Sequence, residues 1–275
     1  YNLFLLYGGN MELKDRVAII TGGSRGIGKG IALSCAEEGA SVVINYQSNK
    51  ESALKTAKEI NNIGGKAIVF KADITNKLEV INMVNKTIEK FGTIDILVNN
   101  AGVHDFDNFL SSNAEKILKK MVDTHLYGSF YCTQAVIKEM KKNKRGDIIF
   151  ITSLAEKQFM QEEWAYTSAK TAVSTMAQCI AKELRWDGIR VNCIAPTIVE
   201  SDMGLKIVSE WANTKNHTEL YKKVPFNRLV KPKDIGNLCV FLASDKASHI
   251  SGQVIYLDSA IGPNSMRDIV QNKNI

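Results

Sequence analysis

Long apolar runs, prolines, paired cysteines and an excess of one charge are all scarce in this 275-residue chain. The apolar stretch Leu3-Phe4-Leu5-Leu6-Tyr7 is too short to span a bilayer and has no basic flank, and no other run is long enough for a transmembrane helix. Neither a membrane span nor a leader is expected. The five cysteines, Cys35, Cys132, Cys179, Cys193 and Cys239, are an odd number without metal-ligand spacing, and each sits in an apolar pattern. They read as reduced core residues of a cytoplasmic protein, with no metal site. Net charge is +6, from 35 basic and 29 acidic residues. Basic residues gather at Lys141-Lys142-Asn143-Lys144-Arg145, near an expected helix end, where they complement the helix dipole rather than bind nucleic acid. Internal repeats and low-complexity tracts are missing too.

What remains is a 45% apolar chain, enough for the core of one large α/β domain. Its expected limits are residues 11–262, leaving residues 1–10, ahead of Met11, and residues 263–275 as tails. Strand-like runs recur at Val17 to Thr21, Ser41 to Tyr46, Ala67 to Lys71, Ile94 to Asn99, Asp147 to Thr152, Arg190 to Ile194 and Gln253 to Leu257. Helical patterns fill the gaps, which predicts a parallel sheet covered on both faces. Of the four prolines, Pro196, Pro225 and Pro232 bracket a polar, irregular segment from about Thr197 to Lys223. Starting just past a strand's carboxyl end, it is either a substrate lid or a surface excursion.

The segment from Val17 to Gly39 reads as a buried strand, a turn Thr21-Gly22-Gly23-Ser24-Arg25-Gly26-Ile27-Gly28, and a helix marked by Ile27, Ile31, Ala32, Cys35 and Ala36. Without bulky side chains the turn lets backbone approach a pyrophosphate, which the positive end of the helix favours. A dinucleotide site usually has an acid at the end of the second strand, to hold the adenosine ribose. Here Asn45-Tyr46-Gln47-Ser48 offers no carboxylate. That absence, with the Arg25 guanidinium in the turn, favours NADP(H) over NAD(H), unless Arg25 is simply solvated. Asp73, after the third strand, is placed to cap the next turn or to meet the adenine. Asn99-Asn100-Ala101-Gly102 closes the fourth strand with small and amide side chains that tie strands together and leave space.

Tyr166 and Lys170 are four apart in a helical pattern and share a face. A neighbouring ammonium favours the ionised phenol, which makes the pair a tuned general acid and base. Ser153 follows the strand Ile148 to Thr152, where its hydroxyl is placed to bond a carbonyl oxygen.

Together Thr21-Gly22-xxx-Gly26-x-Gly28, Asn99-Asn100-Ala101-Gly102, Ser153, Tyr166-xxx-Lys170 and Arg190 to Pro196 make the sequence resemble the short-chain dehydrogenase/reductase family from about Leu13 to Leu257. The resemblance implies a single Rossmann-like domain with a doubly wound, seven-stranded sheet. It also implies a nicotinamide cofactor, a small carbonyl or alcohol substrate, and a homotetramer or dimer built on two long helices around 113–142 and 164–186. Ser153 would orient the substrate oxygen, Tyr166 pass it a proton, and Lys170 hold the nicotinamide ribose. The implied cofactor set is Gly22, Ser24, Arg25, Gly26, Ile27, Gly28, Asn45, Tyr46, Asp73, Ile74, Asn100, Ala101, Gly102, Tyr166, Lys170, Pro196, Thr197, Ile198, Val199 and Ser201.

Three departures stand out. Pro196-Thr197 replaces the family's Pro-Gly, and Asp258-Ser259-Ala260 replaces its Asp-Gly-Gly. His125 stands where the family usually has a catalytic asparagine; it either is a tolerated helix residue or joins the proton relay, in which case an ionisation near pH 6–7 is expected. Within the family the likeness is greatest to 3-oxoacyl-carrier-protein reductases and bacterial glucose dehydrogenases. Reduction of a 3-oxoacyl thioester is the expectation, a sugar or polyol dehydrogenase with a polar pocket at Glu156, Gln161, Glu162 and Glu163 the alternative. A third reading is an NADP-binding sensor without turnover.

Overall fold

The computed structural model describes residues 11–214, 216–262 and 266–271; the expected amino-terminal tail, residues 1–10, lies outside them. The apolar runs become seven strands: β1 (Val17–Ile20), β2 (Ser41–Tyr46), β3 (Lys66–Lys71), β4 (Ile96–Asn99), β5 (Gly146–Ile151), β6 (Ile189–Pro196) and β7 (Val254–Leu257). All pair in parallel, in the order β3-β2-β1-β4-β5-β6-β7. Chain order reverses beside β1, and a crevice opens there beyond the carboxyl ends of β1 and β4.

Between the strands run α1 (Gly26–Glu37), α2 (Lys50–Asn62), α3 (Lys77–Phe91), α4 (Ala114–Met121), α5 (Gly128–Asn143), α6 (Ala155–Gln158), α7 (Trp164–Leu184), α8 (Asp202–Trp211), α9 (His217–Tyr221), α10 (Pro232–Ala243) and α11 (Met266–Val270). Successive β2 residues alternate between the two faces, as strand geometry requires. Val42 and Ile44 join Ile31 of α1 and Ile235 of α10, whereas Val43 joins Val80 of α3, Val136 of α5 and Val173 of α7. Because both faces are covered, the strands read as continuous apolar runs rather than alternating ones. Fully buried side chains such as Ile19, Ile20 and Phe150 each contribute about 1.5–3 kcal/mol of apolar burial.

At the amino ends of the strands, Arg16 donates to Asp147 Oδ2 at 2.6 Å, and Arg190 lies 2.7 Å from Asp147 Oδ1. These residues precede β1 or begin β5 and β6, so the triad fastens three strands. Within the β4–β5 connection, α4 runs into α5 through a π-helical turn, Val122–Tyr127.

Three expectations need correction. The segment after Pro196 is not irregular: α8 and α9 fold over the carboxyl ends on their own small core of Val208, Leu220, Val224 and Leu229. The intervening polar residues mask the helical spacing of Met203, Ile207, Val208 and Trp211. Nor does the fold stop at 262, because α11 adds Val270 to that same core. Finally, Cys179 is exposed, while the other four cysteines are buried; it lies on the outer side of α7, where the apolar pattern continues past the sheet. No helix among the described residues is long and apolar enough to cross a membrane.

Candidate active site

The turn between β1 and α1 forms the base of a cavity of about 550 Å³. Thr21 joins two strand ends there, its hydroxyl donating to Val98 O at 3.1 Å and accepting from Asn100 N at 2.9 Å and Ala101 N at 3.0 Å. Asn100 Nδ2 donates to Thr21 O at 2.8 Å. A Cβ on Gly28 would lie 2.3 Å from Gly22 O and 2.5 Å from Asn100 Nδ2, so only glycine fits. Gly26 has φ +53°, a conformation glycine adopts without cost. Arg25 is the N-cap of α1 yet makes no capping bond with its side chain, and no acid lies in the first turn. The helix therefore presents unpaired N–H groups and a positive dipole end, which fit the pyrophosphate of a nicotinamide dinucleotide.

Along the next wall, Asn45 Oδ1 accepts from Gly22 N at 3.2 Å and Asn45 Nδ2 donates to Ala72 O at 3.0 Å, binding the turn to β2 and β3. Asp73 accepts from Gln47 Nε2 at 2.7 Å and from Thr75 N at 2.9 Å. Burial acts against its charge, yet these hydrogen bonds hold the carboxyl below its ordinary value. Exposed Arg25 lines the same cavity.

At the far end, Ser153 follows β5 while Tyr166 and Lys170 come from one side of α7. The sequence predicts a phenol tuned downward by the ammonium. The structure corrects this: burial pushes Tyr166 up to about 12, the Ser153 hydroxyl opposes the rise, and the Glu163 and Glu156 carboxylates add to it. Burial likewise lowers Lys170 to about 8, with Glu156 pulling it back up. The Lys170 ammonium donates to Ile151 O at 2.8 Å and lies 5.6 Å from the Tyr166 ring centroid.

Two imidazoles flank Tyr166, both edge-on. His125, buried in the π-helical turn, stands 5.4 Å from the phenol ring, with its Nε2 2.8 Å from Val103 O. Burial and then the Lys170 charge hold it well below 6.5, so the ionisation near pH 6–7 that a relay role would give is not expected. His104 stands at 4.5 Å, and both rings line the cavity.

Every residue assigned to the site from the sequence lines this one cavity, from Gly22, Ser24, Gly26, Ile27 and Gly28 through Tyr46, Ile74, Ala101 and Gly102 to Pro196, Thr197, Ile198 and Val199. Ser201 caps α8, accepting from Gly204 N at 3.2 Å. The polar pocket expected at Glu156, Gln161, Glu162 and Glu163 does not assemble, because only Glu163 of the four lines the cavity. Glu156 turns beneath the floor, accepting from Ser174 Oγ at 2.5 Å and from the Tyr256 hydroxyl. Sequence reasoning missed His104, three residues past Ala101, and Met203, Ile207 and Trp211, which reach the cavity from α8. Position after Asn-Asn-Ala-Gly was the one available signal for His104; nothing marked the α8 residues once that segment was read as irregular. Where the family has Gly-Gly, Ser259 and Ala260 are held at φ +55° and +60°.

A family model described as enoyl-(acyl carrier protein) reductase matches residues 22–260. A 3-oxoacyl-(acyl-carrier-protein) reductase of Staphylococcus epidermidis is 34% identical over 247 residues, covering 90% of this chain and 99% of that protein. A hydroxy(phenyl)methylsuccinyl-CoA dehydrogenase subunit of Thauera aromatica is 39% identical over 254 residues, covering 90% and 96%. Among solved structures, a 7α-hydroxysteroid dehydrogenase complexed with NADH and 7-oxoglycochenodeoxycholic acid superposes with a TM-score of 0.84 at 34% identity, over 94% of this chain and 98% of that one. The chain belongs to the short-chain dehydrogenase/reductase family, oxidoreductases that interconvert hydroxyl and carbonyl groups with NAD(P)(H).

Proposed function

We propose that this protein is a cytoplasmic NADP(H)-dependent reductase that converts a carbonyl, a 3-oxoacyl thioester first among candidates, into a secondary alcohol. The observation that carries the substrate class is the similarity to the Staphylococcus reductase along 99% of that protein's length. NADP(H) is favoured because the cavity wall at Asn45, Tyr46, Gln47 and Ser48 holds no carboxylate and the Arg25 guanidinium belongs to the same cavity. Asp73, the nearby acid, is already engaged by Gln47 and Thr75.

When bound, the nicotinamide supplies or accepts the hydride. The chain's residues do the rest. Ser153 donates a hydrogen bond to the substrate oxygen and so fixes which carbon is presented. Tyr166 gives that oxygen a proton from its hydroxyl. With the phenol at about 12 and Lys170 at about 8, both carry their protons at neutral pH, which is the state a reduction needs. As the phenolate forms, the Lys170 ammonium stabilises it, and its remaining N–H groups are free for a ribose hydroxyl. His125 packs the π-helical turn and takes no proton.

The same reading includes a homotetramer or dimer. An apolar groove of about 920 Å³ runs between α5 and α7, with Tyr127, Phe130 and Phe159 exposed along it. Exposed aromatics in such number mark an association surface.

A single assay tests the function. NADPH oxidation is followed after addition of acetoacetyl-CoA, of a simple ketone and of an aldose. Fastest turnover with the thioester is the expected result. Turnover confined to the aldose would replace the substrate class, and none with any of them, despite NADPH binding, would leave a sensor.

A further inference from the structure

Neither the reactive trio nor the cofactor-binding turn accounts for the pairing of His104 with Glu163. His104 lies in the loop after β4, and Glu163 is the N-cap of α7, three residues ahead of Tyr166. His104 Nε2 is 3.3 Å from Glu163 Oε1, and their side chains are only 11% and 5% exposed. The imidazole also packs edge-on against Phe106 at 4.2 Å and against Tyr166 at 4.5 Å. A carboxylate and two aromatic rings therefore fix it beside the phenol, and it lines the cavity. Such enclosure is costly for a polar or charged pair, and the pairing offsets part of that cost.

One ring nitrogen remains. His104 Nδ1 is the ring nitrogen not engaged with Glu163, and the ring lines the cavity. His125 borders the same cavity, but its Nε2 is taken by Val103 O. Of the two imidazoles, half-buried His104 is more open to a ligand than buried His125. An imidazole nitrogen accepts a hydrogen bond when it carries no proton and donates one when it carries one. Either form pairs with oxygen.

We infer that His104, held by Glu163, sets substrate specificity by binding a second oxygen function next to the reacting carbonyl. The inference rests on the carbonyl-reductase reading and narrows it. Ser153 and Tyr166 are committed to the oxygen that changes oxidation state. A ketone with no other oxygen leaves Nδ1 unpaired in a cavity it has dehydrated, whereas a bifunctional substrate pairs it. Two bifunctional classes share that chemistry. The thioester carbonyl of a 3-oxoacyl group stands one carbon away from the ketone, and a hydroxyketone carries its hydroxyl on the adjacent carbon.

The test compares kcat/KM with NADPH for acetoacetyl-CoA, hydroxyacetone and 2-butanone, in the parent chain and in His104→Ala, His104→Gln and Glu163→Gln. Circular dichroism and the NADPH Kd of each variant check that it folds and holds cofactor. In His104→Ala the preference for a bifunctional substrate over 2-butanone is expected to fall roughly 10- to 100-fold. His104→Gln, which keeps a donor and an acceptor, should recover much of it, and Glu163→Gln should lose an intermediate amount by freeing the ring. A fall confined to acetoacetyl-CoA identifies the acyl class; one confined to hydroxyacetone identifies the hydroxyketone class. An unchanged preference, or equal losses on all three substrates, overturns the inference while leaving the reductase reading intact. Inactivity of the parent on all three, with NADPH bound, overturns both.

Discussion

At the amino ends of the strands Asp147 sits between Arg16 and Arg190, and the main-chain carbonyls of Ala243 and Ser244 take up further guanidinium N–H groups. At the carboxyl ends Lys170, Glu163 and His125 are buried, Tyr166 and His104 are half-buried, and all five border a cavity. Both ends bury charge under one sheet. At the amino end the charges are matched with one another, and the triad is a fastening. At the carboxyl end burial acts on groups with spare hydrogen-bonding capacity, so it moves the phenol up to about 12 and the lysine down to about 8. Low dielectric serves cohesion where every partner is internal and reactivity where a partner is left for the substrate.

Substitutions at the two ends should therefore fail in opposite ways. Tyr166→Phe is expected to lower turnover roughly 100- to 10,000-fold while the Tm and the NADPH Kd stay near the parent's, since it removes only the acid's proton. Near-parental turnover would remove Tyr166 from the chemistry. Asp147→Ala is expected to do the reverse, lowering unfolding free energy by about 3–5 kcal/mol, because two guanidinium groups are left buried without their counter-charge. Chemical denaturation measures that loss; kcat per folded molecule should survive. Were kcat to fall with stability unchanged, the two ends would not be separable. Arg25→Ala is a finer probe of the carboxyl end. It should erode the preference for NADPH over NADH by about 1–2 kcal/mol, read as a change in the ratio of Kd values. Equal losses for both cofactors would assign Arg25 to the pyrophosphate instead. Smallest is Ser259→Gly, which relieves a left-handed backbone and should stabilise the chain by about 1 kcal/mol without changing kcat. A lower Tm would mean that Ser259 makes its conformation worthwhile through its side chain.

The sequence was legible where one residue type satisfies a local demand. Apolar runs located the seven strands to within a residue or two because both faces of the sheet are covered, and each run ends where the backbone leaves it. The glycine turn was legible for the same reason: only glycine fits against Gly22 O, so its spacing records a backbone path. What could not be read depends on residues that meet only in three dimensions. Arg16, Asp147 and Arg190 are ordinary strand-edge residues in one dimension. His104 gains its meaning from Glu163, 59 positions away, and Glu163 looked like one member of an acidic run whose other members point elsewhere. The pKa of Tyr166 was misjudged because spacing reveals a neighbouring lysine but not the dehydration that outweighs it.

The π-helical turn at Val122–Tyr127 also decides which changes of length the gene can tolerate. A π turn carries about one residue more than an α turn, and each residue of an α-helix rotates the chain by roughly 100°. The phase of everything after it is set by that surplus. His125 faces inward toward the phenol, Tyr127 and Phe130 face out into the groove, and Cys132, Val136 and Met140 face the sheet, all in one unbroken helical run. Point changes within the turn can be absorbed locally. Loss of one codon would turn the sheet-facing residues of α5 toward solvent and the groove aromatics away from their neighbours. The reading frame of folding, and not merely of translation, runs through these six residues.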